Sequence, residues 1–134
     1  MINLIPFKQV GPFCFHKDIL SYKDCEFEFV PCDDKTGWDV YKLRHEGIEL
    51  YTENNTIVSI ACRKEIYFKG ANLIGLAYDK LTNEFNLTPT GEADKIYIPS
   101  DDDYQDVVEF DEIGIQVWIK EDKIETVFCS PQLD

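Results

Sequence analysis

The alternation of apolar and polar residues predicts a chain built mostly of short β-strands. The clearest examples are two stretches of sixteen residues, GIELYTENNTIVSIAC at 47–62 and GIQVWIKEDKIETVFC at 114–129. In each stretch, two runs of β-forming residues flank a pair of residues expected to turn, Asn-Asn at 54–55 and Glu-Asp at 121–122. Both stretches are therefore predicted as antiparallel β-hairpins.

Four further segments alternate apolar with polar residues and are also predicted as strands: 26–30, 38–44, 95–99 and 104–110. The sequences DDKTG at 33–37 and SDDD at 100–103 are rich in turn-forming residues. They separate the two strands of each pair. The prediction is thus eight strands, four before the middle of the chain and four after it.

Two short helices complete the predicted fold. The sequence ANLIGLAYDKLTNEF at 71–85 places Leu73, Leu76 and Leu81 near one face of a helix. The sequence FCFHKDILSY at 13–22 is predicted as one or two helical turns. The fold class is therefore α+β, with antiparallel sheet formed by two tandem units of one helix plus four strands.

The two hairpins also suggest that the chain contains a repeated unit. They start 67 residues apart (114 − 47), which is half of the 134 residues. The same order of predicted elements precedes each hairpin, so we predict a single domain, 1–134, with an internal duplication of 11–62 and 73–129. The alternative is two unrelated hairpins of ordinary antiparallel sheet. Four aligned pairs are identical: Gly47/Gly114, Ile48/Ile115, Ile57/Ile124 and Cys62/Cys129.

The turn at 121–122 also predicts which face of the second hairpin is buried. A two-residue turn fixes the pairing of the strands, and the apolar pairs should point to the core. The predicted core-facing pairs are Ile119 with Ile124, Val117 with Thr126, and Ile115 with Phe128. Trp118 then lies on the opposite face, either as an anchor for a partner or as a second core layer beneath a helix.

Charge is the most informative feature of the composition. The chain has 26 acidic and 13 basic residues, a net charge of −13, and its 44% hydrophobic content is sufficient for a folded core. Residues 91–134 hold 13 acidic and 3 basic residues, a net charge of −10. Such a surface repels nucleic acid phosphates and attracts a basic protein, whose association it accelerates.

The sequence contains none of the common catalytic or nucleotide-binding motifs, such as Gly-x-Ser-x-Gly, a Walker loop or His-Glu-x-x-His. His16 and His45 are the only histidines, which leaves little scope for a Cys-His pair. The acidic run at 101–103 lacks the glycine and the downstream glutamate of an EF-hand loop. We therefore predict a protein that is not an enzyme and uses no cofactor or metal.

The cysteines and the apolar runs predict the compartment. The five cysteines are an odd number without Cys-x2-Cys spacing, which favours reduced thiols. No stretch approaches the ~20 apolar residues of a membrane span. The N-terminal sequence MINLIPFKQVGPF does not have the pattern of a signal peptide. A cytoplasmic protein without a membrane partner is predicted.

The pattern GIELYTENNTIVSI, followed by GANLIGL and by FDEIGIQVWI, resembles bacterial toxin-immunity proteins, particularly those of contact-dependent growth inhibition systems. The resemblance covers roughly residues 38–129 and rests on the overall sequence pattern more than on an invariant motif. It implies a cytoplasmic antidote that binds the toxin domain of a sibling cell's surface protein. Such toxins are often basic nucleases, and some of these immunity proteins bind by β-augmentation.

The predicted function is therefore an immunity protein that occludes the active site or substrate groove of a basic toxin domain. Carboxylates steer the partner and aromatic side chains anchor it. Two alternatives are a small-ligand or peptide-binding module around Trp38 and Tyr41, and an oligomeric structural or regulatory subunit. The predicted partner-binding residues are Asp101, Asp102, Asp103, Tyr104, Asp106, Glu109, Asp111, Glu112, Trp118, Tyr97 and Tyr51.

Overall fold

A computed structural model describes residues 1–31 and 37–132, of which 50% lie in strands and 7% in helices. Cys32 and most of the turn predicted at 33–37 lie outside the described residues. The strands are β1 (Leu4–Ile5), β2 (Gln9–Val10), β3 (Phe13–Cys14), β4 (Glu28–Val30), β5 (Asp39–Leu43), β6 (Ile48–Glu53), β7 (Thr56–Cys62), β8 (Tyr67–Phe68), β9 (Ala71–Asn72), β10 (Thr90–Ile98), β11 (Asp103–Phe110), β12 (Ile115–Lys120) and β13 (Lys123–Cys129).

The prediction of an antiparallel sheet from eight strands is confirmed. Its strand order is β10-β11-β12-β13-β7-β6-β5-β4, and every neighbouring pair is antiparallel. This main sheet consists of a first half, β4–β7, and a second half, β10–β13, joined through β7 and β13. Two small sheets, β1–β3 and β8–β9, precede the two halves and are linked by a parallel bridge between Asn3 and Tyr67.

The prediction of two units that each contain one helix and four strands is wrong, because neither predicted helix forms over its predicted range. Segment 13–22 forms β3 and a 3₁₀ helix at Ile19–Ser21, whose first turn is capped by the Asp18 carboxylate. Segment 71–85 contains β9 and only a six-residue helix, α1 (Tyr78–Asn83).

Backbone hydrogen bonds to the second hairpin explain why the longer helix does not form. The Gly75 N–H donates to the Ile124 carbonyl at 2.7 Å, and the Tyr78 N–H donates to the Asp122 carbonyl at 2.8 Å. Gly75 has φ +84°, outside the helical region. These tertiary bonds hold the chain extended until Tyr78, where α1 begins.

One hydrophobic cluster draws on the main sheet, both small sheets and α1. From the sheet, Leu50 and Val117 are fully buried, and Phe13, Leu73 and Leu81 reach the cluster from the segments that precede the two halves. The face of the main sheet that carries Leu50 and Val117 is therefore its core face. The opposite face, which carries Tyr51, Trp118 and Phe128, is called the outer face below.

The two hairpins of the main sheet have the same geometry. Each turns at two residues with positive φ, 51° and 65° at 54–55 and 52° and 65° at 121–122. Each contains one register shift, after Tyr51 in β6 and after Trp118 in β12. These two positions are 67 residues apart (118 − 51), the same separation as the hairpins themselves.

The register shift corrects part of the predicted pairing in the second hairpin. Ile119 pairs with Ile124 as predicted, but Val117 pairs with Val127 and Ile115 with Cys129. The predicted partners Thr126 and Phe128 move out of these pairs because β13 contains an extra residue. As a result Val127 is fully buried and Phe128 lies on the outer face.

The start of the second strand of each hairpin, β7 or β13, also forms equivalent backbone contacts with the segment that precedes that half of the sheet. The Ile57 N–H donates to the Lys17 carbonyl and the Ile124 N–H to the Leu76 carbonyl, each at 3.0 Å. Isolated bridges join Asp18 to Thr56 and Ala77 to Lys123. These matching contacts support the internal duplication, which stays a prediction.

The two halves of the sheet meet in three residue pairs of β7 and β13. Ile60 pairs with Cys129, Ala61 with Phe128 and Cys62 with Val127. Ile60 and Val127 hold equivalent hairpin positions, as do Cys62 and Cys129, so the pairing is symmetric about Ala61 and Phe128. The Ser59 hydroxyl also donates to the Cys129 carbonyl at 3.2 Å.

Cys62 and Cys129 are both 1% exposed at this junction. Burial, with a smaller contribution from Glu65, raises the pKa of the Cys62 thiol to about 12. Burial also raises the pKa of Cys129 well above its usual 9.0. Both thiols therefore keep their protons in the folded protein at pH values where an unfolded chain releases them.

This linkage predicts a loss of stability in mild alkali. Because the folded-state pKa values are raised, the contribution of each thiol is fully present below about pH 9 and is lost as the pH rises above 9, up to about 12 for Cys62. Above pH 9, each thiol should lower the free energy of unfolding by about 1.4 kcal/mol per pH unit. Urea unfolding between about pH 8 and pH 10 measures this slope. Cys62→Ala removes one of the two titrating thiols and should therefore reduce this slope by about 1.4 kcal/mol per pH unit. An unchanged slope would contradict a raised pKa for Cys62.

Gly114, which precedes β12, provides a second stability prediction. It has φ +67°, and a Cβ placed there would lie 2.6 Å from Phe7 Cε1 and 2.8 Å from the Ser130 carbonyl oxygen. Gly91 has a similar φ of +75°, and among the described residues no atom beyond its chain neighbours lies within 4 Å of the position that its Cβ would take. Gly114→Ala should therefore cost about 1–3 kcal/mol more unfolding free energy than Gly91→Ala. Equal losses in urea unfolding would show that the close contact is unimportant.

Candidate partner-binding surfaces

The tip of the β10–β11 hairpin exposes a pair of tyrosines. Tyr97 and Tyr104 are directly opposite in the register, with ring centroids 5.3 Å apart in an edge-to-face arrangement. Their exposures are 45% and 58%. Of the seven large apolar side chains exposed among the described residues, Ile96, Tyr97 and Tyr104 belong to this hairpin. Such rings offer apolar area with a polar end, which suits an anchor in a protein interface.

Carboxylates surround this tyrosine pair. Asp101 and Asp102 form the turn, and Asp103 begins β11. The Tyr97 hydroxyl donates a hydrogen bond to Asp102 Oδ1, and the Tyr104 N–H donates to Asp103 Oδ1 at 2.7 Å. The bond to the Asp102 carboxylate raises the pKa of Tyr97 above its usual 10.0, because the protonated phenol is its donor.

The hairpin as a whole carries a strong excess of negative charge. Residues 90–110 contain seven carboxylates and one basic residue, Lys95, a net charge of −6. Two ion pairs offset it locally: Lys95 with Asp106 at 3.3 Å and Lys120 with Asp101 at 3.5 Å. These two pairs involve only two of the seven carboxylates, so most of the negative charge remains available to a partner.

Strand β10 is one outer edge of the main sheet, and eight of its nine residues are exposed. Its register with β11 shifts between Thr90 and Asp94, and Gly91 within that shift has φ +75°. Glu92, Asp94 and Lys95 place charge along this edge, as edge strands commonly do to prevent unwanted strand pairing. The edge and the tyrosine pair thus form one continuous exposed element.

The structure divides the predicted acidic patch. Asp111 and Glu112 follow the other end of β11, roughly 26 Å from Asp103 at about 3.3 Å per strand residue. The Glu112 carboxylate accepts a hydrogen bond from the Thr88 N–H at 2.8 Å, which fixes the chain before β10. Glu109 lies between the two ends and accepts from the Gln116 amide at 2.6 Å. The tip carboxylates and Tyr97 and Tyr104 therefore form the group that the structure brings together.

Trp118 and Tyr51 belong to a different surface. They lie on the outer face on either side of Phe128, with ring centroids 5.8 Å and 6.0 Å from it. Trp38 continues the row, 6.2 Å from Tyr51. Trp118 pairs with Val107 in the sheet, whereas Tyr104 is three residues from Val107 in the same strand. Since side chains alternate between faces, Tyr104 points away from the Trp118 side.

Phe128 is the member of this outer aromatic row that sequence reasoning missed. Its place depends on the register shift in β13, which no local sequence pattern marks. The Trp118 indole N–H donates to Gln116 Oε1 at 2.8 Å, so the ring is held by both packing and a hydrogen bond. The alternative in which a helix covers Trp118 does not hold for α1, because its Tyr78 ring lies 6.2 Å from the core residue Phe110.

The ligand pocket suggested around Trp38 and Tyr41 is not formed by those two residues. Tyr41 pairs with Leu50 and its ring lies 5.7 Å from Phe27, at the margin of the core. Trp38 packs on Tyr51, whose side chain is on the outer face. The two side chains therefore contribute to opposite faces of the sheet.

Comparisons with known protein families, with curated proteins and with solved structures find no match to this chain. Within residues 1–31 and 37–132, no helix is long and apolar enough to cross a membrane. Across the same residues, no three His, Cys, Asp or Glu side chains are grouped in a way that could hold a metal ion.

The Tyr97–Asp102 hydrogen bond can be tested directly. Asp102→Asn removes the charged acceptor and should move the pKa of Tyr97 down towards 10.0. Tyrosine ¹³Cζ chemical shifts followed against pH would report this value. Asp103→Asn is the matched control, because Asp103 accepts from a backbone N–H and not from Tyr97. The same shift in both variants would mean that general charge, and not the hydrogen bond, sets this pKa.

Proposed function

We propose that the protein is a cytoplasmic immunity protein, which binds a basic toxin domain and neutralises it without catalysis or a cofactor. The observation that carries this proposal is the exposed Tyr97–Tyr104 pair framed by the turn carboxylates. A partner with a basic surface finds there both electrostatic attraction and aromatic area to bury. The resemblance to immunity proteins and the net charge of −13 support the same function.

The two kinds of side chain have different roles in this proposal. The carboxylates of the hairpin raise the rate of encounter, and salt weakens this effect. The tyrosine rings lose water on binding and set the rate of dissociation. The hairpin tip extends the main sheet at its edge, which suits insertion into the substrate groove of an enzyme. A nuclease is the favoured target, since a groove that binds phosphates is basic.

The proposed set of contact residues is smaller than the set predicted from the sequence. Tyr97 and Tyr104 are exposed at the tip, whereas Tyr51 and Trp118 are partly buried and packed against Phe128. Asp111 and Glu112 lie at the other end of β11. We therefore place the first contact with the toxin at the tip and edge of the β10–β11 hairpin.

The test uses a purified, catalytically inactive toxin domain, sought among the products of the genes next to this one. Replacement of Asp101, Asp102 and Asp103 by Ser should slow association about tenfold at low salt and flatten its salt dependence. Tyr104→Ala should instead accelerate dissociation. Stopped-flow or surface-binding kinetics at several salt concentrations would separate the two effects.

A matched control removes three exposed carboxylates elsewhere, through Asp24→Ser, Glu46→Ser and Glu84→Ser. Both triple variants change the net charge from −13 to −10, so only position distinguishes them. Coexpression with the active toxin gives the cellular result: the wild-type protein should restore growth. Failure of the wild-type protein to bind or protect, or equal rates in both triple variants, would overturn the proposal.

A further inference from the structure

A basic groove lies where the first half of the main sheet meets strand β13 of the second half. It consists of two cavities, of about 290 Å³ and about 440 Å³, that share Arg63 as a lining residue. Glu49 and Glu125 are the lining carboxylates. The lining thus carries a net charge of +3 (five minus two), against −13 for the chain. The five basic lining residues are Lys42, Arg44, Arg63, Lys64 and Lys123.

Arg63 is held in a fixed orientation where the two cavities meet. Its Nε and Nη2 lie 2.7 Å and 2.6 Å from Glu49 Oε1, and its Nη1 donates to Thr126 Oγ1 at 3.3 Å. Half of its side chain (50%) remains exposed. A guanidinium has five N–H donors, so this arrangement leaves two of them for a ligand. Because the side chain is already ordered, binding costs little conformational entropy.

Lys64 is positioned by the backbone. Its ammonium donates to the His45 carbonyl at 2.8 Å, a neutral acceptor that leaves the positive charge uncompensated. Its aliphatic stem lies over Gly47, where a Cβ would be 2.6 Å from Lys64 Cγ. Only glycine allows this approach, and Gly47 also has φ +66°. Among the described residues, Lys123 likewise forms no ion pair with a carboxylate, so two lining cations keep their full charge.

The fold itself does not require these cations. In both halves the N–H of the glycine that precedes the hairpin donates to the carbonyl three residues earlier, Gly47 to Arg44 and Gly114 to Asp111. The chain geometry is therefore the same at both places, but the side chains have different charges. The equivalent pairs, 67 residues apart, are Lys42 and Glu109, Arg44 and Asp111, Arg63 and Ser130, and Lys64 and Pro131.

We propose that the basic groove binds a small phosphate-bearing molecule. The two remaining Arg63 N–H groups can donate to phosphate oxygens, and Lys64 and Lys123 each add a positive charge, one in each cavity. The two cavities together have room for a ligand with more than one phosphate group. Extended nucleic acid is disfavoured, because the surrounding surface carries the charge of a strongly acidic protein. This proposal stands independently of the proposed immunity function.

The test titrates the whole protein with pyrophosphate, by calorimetry and by amide chemical shifts. Saturable binding with a dissociation constant below about 1 mM is expected at low salt, with shifts concentrated at Gly47, Arg63 and Gly75. The double variant Lys64→Gln/Lys123→Gln should weaken binding at least tenfold. The matched control Lys80→Gln/Lys95→Gln changes net charge equally, outside the groove, and should leave binding within about twofold.

These variants keep the test independent of folding, because neither Lys64 nor Lys123 is bonded to the buried Glu49. Arg63→Lys is a further variant that keeps the charge but removes the two N–H donors left for a ligand, and it should also weaken binding. The proposal is overturned if the binding of pyrophosphate does not reach saturation, or if both double variants weaken that binding equally. It is also overturned if a DNA oligonucleotide binds to the protein more tightly than pyrophosphate does. Binding to the toxin domain should be unaffected by the groove variants, so the two proposals fail separately.

Discussion

The structure depends on the three residue pairs that join β7 to β13. They turn two four-stranded sheets into one sheet of eight strands and place the second strands of the two hairpins side by side. Ile60 pairs with Cys129, and the equivalent residue Val127 pairs with Cys62. The hairpins are therefore related by an approximate two-fold axis near Ala61 and Phe128. Ile60, Cys62, Val127 and Cys129 are fully buried on the core face beside this axis. The junction therefore requires small or β-branched apolar side chains.

The same axis explains the arrangement of the outer face. Tyr51 and Trp118 are equivalent in the two hairpins, and each packs against Phe128. The partner of Phe128 across the junction is Ala61, whose small side chain leaves space for the larger ring. A small residue, Ala61, opposite a large one, Phe128, thus fills the centre of the outer face without a clash or a void.

Local pattern was sufficient to predict much of the sheet. Alternation identified the eight strands of the main sheet, and the turns at 54–55 and 121–122 were placed correctly. It could not predict the register shifts, because an inserted bulge residue is compatible with many sequences. The predicted helix at 71–85 failed for a different reason: Gly75 and Tyr78 bond to a hairpin that lies about 45 residues further along the chain.

The candidate sites show the same division between local and distant information. The tyrosines and carboxylates at the tip of β10–β11 are close in sequence, so their grouping was predictable. Their separation from Trp118 follows from strand alternation and pairing, which required the register. The basic groove combines residues near positions 42, 63 and 123, and no sequence motif joins such distant segments.

The charged edge strand β10 has a consequence for molecules of the same kind. The other end of the main sheet is the three-residue strand β4, which offers little backbone for pairing. A second copy that approached β10 with its own β10 would bring two sets of carboxylates together at sheet spacing, and like charges repel strongly there. The edge is thus selective by sign: it discourages self-association, and it stays accessible to a strand or loop that carries positive charge.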